Sequence, residues 1–189
     1  MTAVFVFDID NTLFDTFETI LDCYQKSLDN VVGPGLLINN RAIQTLKSGG
    51  TWDQAWRHIP ELTETQAVAI RETKHRMYRH RVKDVQPFHS TLTMFRSLAA
   101  SSRIVIWSNS QHEVILLLLQ SVGISEDSVT IIGRQLMAAP KPSAMGLISF
   151  LEDESISHNS VCVIDDSSET IANVARHGIS TCLWNPGIR

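Results

Sequence analysis

Cysteine is scarce in this chain of 189 residues, and none of the three, Cys23, Cys162 and Cys182, stands in a C-x-x-C spacing. That argues against a disulfide framework or a dithiol motif. Cys162 and Cys182 lie within apolar runs, where a thiol behaves as a small hydrophobe. All three are read as reduced, in a cytoplasmic protein. Long hydrophobic runs are missing as well. The longest, Val114 to Leu119, is far short of the roughly 20 residues a membrane span needs. No basic segment precedes the apolar run near the N-terminus, so the chain is expected to be neither secreted nor membrane-embedded. Charge of one sign is not in excess either. A net charge of -4 argues against nucleic acid as a partner, since binding it needs a strongly basic face, but leaves small anionic ligands to local fields. No internal repeat or low-complexity tract is present. The length suits one domain with a real core, or a core plus an insert.

The most informative stretch is Val4-Phe5-Val6-Phe7-Asp8-Ile9-Asp10-Asn11-Thr12-Leu13, a hydrophobic strand that ends in two carboxylates and a turn. Open α/β sheets bind ligands outside the carboxyl ends of their strands, so acids placed there face a crevice. The same letters also make a good turn and helix cap, because Asn and Asp bond their own backbone. Four further β-branched runs follow: Arg103 to Trp107, Ser128 to Ile132, Val161 to Ile164 and Ser180 to Leu183. Continuous rather than alternating hydrophobicity belongs to parallel strands covered on both faces. Helical patterns lie between them, over His89 to Ala100, Gln111 to Val122, Ser143 to Glu152 and Glu169 to His177. The pattern predicts an α/β fold, a doubly wound, Rossmann-like parallel sheet.

The span from Phe14 to Gln86 breaks this alternation. It has no convincing strand and several helical patterns, interrupted at Gly33-Pro34-Gly35 and Ser48-Gly49-Gly50. It is read as an inserted helical cap domain over 15–86, with the core domain formed by 1–14 and 87–189. Its last helix, about Glu64 to Val85, carries Arg71, Lys74, His75, Arg76, Arg79, His80, Arg81 and Lys83. Because these charges go most of the way round, a solvated helix face is favoured over a binding surface. Trp52 and Trp56 are read as cap core rather than as a platform for a base.

Strand ends and helix starts offer Asp8 and Asp10, Ser108-Asn109, Lys141-Pro142 and Asp165-Asp166. Clustered carboxylates with a lysine and a hydroxyl make up what magnesium-assisted phosphoryl transfer requires: oxygen ligands for a hard cation, donors for phosphate oxygens, and a nucleophile. Taken singly, Lys141 before Pro142 also suits a surface turn, and Ser108-Asn109 also suits a helix cap.

Together these residues resemble the haloacid dehalogenase-like hydrolases, in the phosphoglycolate phosphatase-like branch with a helical cap after the first strand. Asp8-Ile9-Asp10-Asn11-Thr12 is similar to the family's D-x-D-x-T signature, Ser108 to its second motif, Lys141 to its third and Asp165-Asp166 to its acidic fourth. The resemblance implies that Asp8 is the nucleophile and forms an aspartyl-phosphate, while Asp10 exchanges protons with the leaving alcohol and then with water. It implies Mg2+ held by the Asp8 carboxylate, the Asp10 backbone carbonyl and Asp166, and a phosphoryl group gripped by Ser108, Asn109 and Lys141. Asn11 and Thr12 are expected to hold the turn. The family commonly places another acid four residues after the metal-binding one, and Thr170 stands there instead. Asp165 is the candidate substitute.

The expected activity is hydrolysis of a small phosphorylated metabolite. Asp10 argues for phosphate esters, because the dehalogenase and phosphonatase branches replace that acid. The alternatives are a phosphomutase, which returns the phosphoryl group to a bound sugar, and a non-enzymatic phospho-receiver or binding module. Receivers lack a large insert after the first strand, and the intact set of acids, serine and lysine argues against a silent module.

Overall fold

The computed structural model describes residues 3–137 and 139–184, so positions 1–2, 138 and 185–189 of the expected core segments lie outside the described residues. The chain divides into two compact units, one of Met1–Asp15 with Gln86–Arg189 and one of Thr16–Val85.

The first unit opens with β1 (Val4–Phe7) and β2 (Phe14–Asp15). The chain then passes through the second unit, in α1 (Phe17–Val32), α2 (Asn40–Lys47), α3 (Trp52–Ala55) and α4 (Glu64–Arg81). It returns as β3 (Gln86–Pro87), α5 (His89–Ala99), β4 (Arg103–Trp107), α6 (His112–Ser121) and β5 (Thr130–Ile132). The last elements are α7 (Met145–Asp153), β6 (Val161–Asp165), α8 (Ser168–Ala175) and β7 (Ser180–Leu183). The main sheet has five parallel strands in the order β5-β4-β1-β6-β7, a Rossmann-like α/β core.

β1 is hydrophobic throughout because both its edges and both its faces are covered. Val4 pairs with Arg103 on one side and Val161 on the other. Val4, Val6, Val105, Trp107, Val161 and Val163 pack with Leu147, Ile148 and Leu151 of α7 and Val174 of α8. Successive side chains of a strand point to opposite faces, so Phe7 lies across the sheet and meets Phe95 of α5, ring centroids 5.2 Å apart. Each large apolar side chain buried in this way contributes about 1.5–3 kcal/mol. From β1 the chain steps outward to β4 and β5, then crosses back to β6 and β7. The reversal falls between β1 and β6, and the carboxyl ends at such a point are where α/β sheets place ligands.

Two expectations about strands need correction. The span from Phe14 to Gln86 is not free of strand: β2 and β3 pair antiparallel at its two ends, Phe14 with Pro87 and Asp15 with Gln86. Two-residue strands are too short to carry a hydrophobic period. The strand expected from Ser128 begins at Thr130, because Ser125 O accepts both the Ser128 N–H and its hydroxyl and closes a tight turn first.

The helical unit has its own core, of Tyr24, Leu28, Ile38, Ala42, Trp52, Ala55, Ile59, Leu62 and Ile70. Asn39 caps α2 by accepting the Ala42 N–H, and Thr63 and Gln66 cap α4 reciprocally. A Cβ at Gly50 would meet Thr45 O at 2.6 Å, so the turn between α2 and α3 requires glycine. Trp52 stacks on Tyr24 at 4.4 Å and donates its indole N–H to Ala67 O. The solvated reading of α4 fails at Lys74. This residue is 7% exposed, with Nζ 4.7 Å from the Tyr78 ring centroid and 5.1 Å from that of Tyr24. Aromatic faces accept a cation at that range, and the long aliphatic stem packs as a hydrophobe. Arg71 pairs with Asp53, and Arg81 with Asp22 and Asp84. Among the described residues no helix is long and apolar enough to cross a membrane.

Candidate active site

The ladder of β1 continues one residue past the strand, where the Asp8 N–H donates to Ile164 O at 3.0 Å. This holds Asp8 beside the acidic end of β6. The chain then turns sharply, with Ile9 O accepting from the N–H groups of Leu13 and Phe14 and Phe14 O accepting from Asn11. Asn11 has φ +61°, a conformation that asparagine tolerates better than most residues. Thr12 Oγ1, fully buried, accepts the Asp166 N–H at 3.1 Å and ties the turn to the end of β6.

Lys141 precedes α7 in a loop fixed from several sides. The Asn109 side chain brackets its backbone, donating to Lys141 O at 3.1 Å and accepting from the Lys141 N–H at 2.9 Å. Asn173 of α8 donates to Pro142 O, and the Lys141–Pro142 peptide is cis. A Cβ at Gly146 would lie 3.0–3.2 Å from the Met137 side chain and Ala139 O, so a glycine there lets the loop lie against α7. The Lys141 ammonium donates to Asp8 Oδ1 at 2.7 Å and to Asp165 Oδ2 at 2.6 Å. It also lies 4.6 Å from the ring centroid of Trp107, whose indole N–H donates to Met137 Sδ.

Asp8, Asp165 and Asp166 each present a carboxylate oxygen, and the three oxygens lie within 4.8 Å of one another. Three carboxylates against one ammonium leave the pocket negative. Burial pushes the Asp8 carboxyl well above its usual range; Lys141 opposes the rise, and Asp165, Asp166 and Asp10 add to it. Burial, then Asp165, pushes Asp166 up to about 7. Burial works to lower the Lys141 ammonium, but the carboxylates of Asp165 and Asp8 outweigh it and hold the group protonated. Unbalanced negative charge on clustered oxygen donors is what a hard divalent cation relieves. Both Asp165 oxygens already accept a hydrogen bond, Oδ2 from Lys141 and Oδ1 from the Ser167 N–H at 2.8 Å. Thr170 is buried, and its N–H is taken by Ser167 Oγ at the start of α8.

Asp10 points to a different set of partners. The Ser108 N–H is fixed on Ile132 O of β5, and its hydroxyl donates to Asp10 Oδ2 at 3.3 Å. Ser110 donates to the same oxygen at 2.6 Å. The structure thus gathers Asp8, Lys141, Asp165 and Asp166 in one cluster, places Asp10 with Ser108, and turns the Asn109 amide onto the Lys141 backbone. Ser110 and Trp107 were not singled out by sequence reasoning. Ser110 shows in the sequence as the second hydroxyl of Ser-Asn-Ser, but nothing local indicates which way it faces.

Fold and site together define a protein of the doubly wound, Rossmann-like α/β class with an acidic cluster at the carboxyl ends of its strands. The chain belongs to the haloacid dehalogenase-like hydrolase family, whose sequence model matches residues 5–184. Comparison with curated protein sequences gives no significant match. Solved structures that resemble it include a protein described as a haloacid dehalogenase-like hydrolase from Bacteroides fragilis, at 23% identity and TM-score 0.82, covering 100% of this chain and 90% of that one. A protein described as a phosphoglycolate phosphatase from Lactobacillus plantarum has 15% identity and TM-score 0.79, covering 96% and 86%. CbbY from Rhodobacter sphaeroides in complex with phosphate has 14% identity and TM-score 0.79, covering 96% and 85%. A variant of that protein is known in complex with xylulose-1,5-bisphosphate. At these identities the likeness is one of fold.

Proposed function

We propose that this chain is a magnesium-dependent phosphatase that hydrolyses a small phosphorylated metabolite through an aspartyl-phosphate on Asp8. The observation that carries the reading is the gathering of Asp8, Lys141, Asp165 and Asp166 at the point where the sheet reverses its winding. CbbY, a fold relative, takes phosphate and a sugar bisphosphate, which supports this class of substrate.

In this reading an Asp8 carboxylate oxygen attacks phosphorus while the bond from phosphorus to the leaving oxygen breaks. Asp10 gives a proton to the departing alcohol, then takes one from the water that cleaves the acyl phosphate. Lys141, the Ser108 hydroxyl and the backbone around Asn109 grip the phosphoryl oxygens, where fixed donors stabilise developing charge. Asp165 holds Lys141 toward Asp8. The oxygen-only donor set and its surplus negative charge fit Mg2+, which the Asp8 and Asp166 carboxylates and the Asp10 backbone carbonyl would hold. When bound, the ion offsets the repulsion between an anionic nucleophile and an anionic phosphate. In the same reading the inserted helical unit supplies the selectivity for the substrate. Cys23, Cys162 and Cys182 are free thiols, consistent with a reducing cytoplasm.

Phosphate release from p-nitrophenyl phosphate, with and without magnesium and without any sugar bisphosphate activator, tests this. Magnesium-dependent release is expected, with a loss on the order of 1,000-fold or more in Asp8→Asn, since the nucleophile is gone. Hydrolysis indifferent to the metal or to that substitution overturns the mechanism. Activity that requires the activator overturns the phosphatase reading in favour of a mutase. A panel of phosphorylated metabolites then sorts the substrate.

A further inference from the structure

Trp107 takes no part in the mechanism above, yet its ring lies against the cation that does. Lys141 Nζ stands over the indole face, 4.6 Å from the ring centroid, while it donates to Asp8 Oδ1 at 2.7 Å and to Asp165 Oδ2 at 2.6 Å. Both partners are removed from water, Lys141 at 5% exposure and Trp107 at 0%. An aromatic face attracts a cation within about 6 Å, tryptophan most strongly, and the attraction grows where water is excluded. The ring is fixed in place. Trp107 closes β4 in register with Ile132, packs in one core cluster with Val6, Val163 and Leu147, and gives its indole N–H to Met137 Sδ at 3.0 Å. Core packing by itself asks only for an apolar side chain of the right volume. The ammonium on the ring face is what an indole adds.

We propose that Trp107 is a positioning residue for Lys141, its indole face holding the ammonium by cation–π attraction while the Asp8 carboxylate gives up its charge. The inference rests on the phosphatase reading and extends it. In the step concerned, the bond from Asp8 oxygen to phosphorus forms as the bond from phosphorus to the leaving oxygen breaks. The electron pair departs with the leaving oxygen, which takes its proton from Asp10. One negative charge has then left Asp8, so the ammonium loses part of its hold just as it has to steady the phosphoryl oxygens. The ring's quadrupole does not change during that step.

Ring fluorines draw electron density from the indole face and weaken its pull on a cation in steps, while adding little bulk. The test replaces Trp107 of the full chain with tryptophan carrying one, two or three ring fluorines and measures kcat/KM for p-nitrophenyl phosphate with magnesium. The value is expected to fall at each step, by about 3–30-fold over the series. A ring that only fills space leaves it level. Urea unfolding of the same series, with lysine and with Lys141→Met, separates the ammonium from any change in packing: the midpoint is expected to fall further where the lysine is present. A level kcat/KM, or midpoints that fall equally in both backgrounds, overturns the inference while leaving the phosphatase reading in place. A native protein that releases no phosphate with magnesium overturns both.

Discussion

Replacing Lys141 with methionine keeps most of the side-chain volume and removes the ammonium that both Asp8 and Asp165 contact. All three residues are almost inaccessible, at 5%, 6% and 1% exposure. Taking one partner from a buried charge pair costs about 3–5 kcal/mol, because the remaining carboxylates keep their desolvation cost without a counter-charge. The loss has a pH signature. Burial already raises the Asp8 carboxyl above the ordinary value of 3.8, and Lys141 is the chief influence holding it down. Without Lys141 the carboxyl stays protonated to still higher pH. A carboxyl whose folded pKa lies above its unfolded value contributes stability that is complete below the unfolded pKa and is lost as pH rises through the folded one. Lys141→Met is therefore expected to lose about 3–5 kcal/mol at pH 8 and roughly 1–2 kcal/mol less than that at pH 5. The measurement is urea unfolding followed by tryptophan fluorescence, with a chelator present. Magnesium at 100 times its Kd then returns about 2.7 kcal/mol to any variant that binds it. A loss under about 1 kcal/mol at pH 8, or a larger loss at pH 5 than at pH 8, refutes the reasoning.

Trp52→Ala removes the ring stacked on Tyr24 and the indole bond to Ala67 O; it is expected to cost about 3–5 kcal/mol, read as a lowered urea midpoint and faster amide exchange in α3 and α4. His75 is held well below its usual range, at about 4 against 6.5, first by burial and then by Lys74 and Arg71. Its folded pKa is depressed, so the unfolded chain takes up the proton first and stability falls as the pH drops from 6.5 to about 4. With the screening due to water at a partly exposed ring, this amounts to about 1–2 kcal/mol, and His75→Gln should remove that part of the pH slope in denaturation curves. Asn109→Ala breaks both bonds that bracket the Lys141 backbone. A loss of about 1–3 kcal/mol is expected in the same unfolding assay, and magnesium-dependent phosphate release should fall with it.

Sequence reasoning read best where the signal is local. The run Val4–Phe7 is apolar at every position because its neighbours cover both edges and both faces, and that demand is written into consecutive letters. Arg103–Trp107 and Val161–Asp165 are largely buried interior strands as well, whereas Ser180–Leu183 is an edge strand, paired with β6 alone and mostly exposed, so the expectation of cover on both faces fails there; the alternation of all these runs with helices implies a parallel sheet. Acids that directly follow two of these strands stand out for the same reason, since a core strand does not otherwise finish in carboxylates.

What the letters do not carry is the partner of each polar side chain. Lys74 stands in the sequence among the other charges of its helix, and tertiary packing against Tyr24 and Tyr78 makes it a buried cation. Ser110 reaches Asp10 from 100 positions away, and the Asn109 amide meets the Lys141 backbone from 32. Periodicity reports how one segment meets its surroundings, because burial acts on every residue of a strand or helix at once. A hydrogen bond between distant segments depends on sheet register and loop course, which the whole chain sets together, so the sequence by itself determined the sheet and its acidic ends while tertiary structure decided which donor faces which carboxylate.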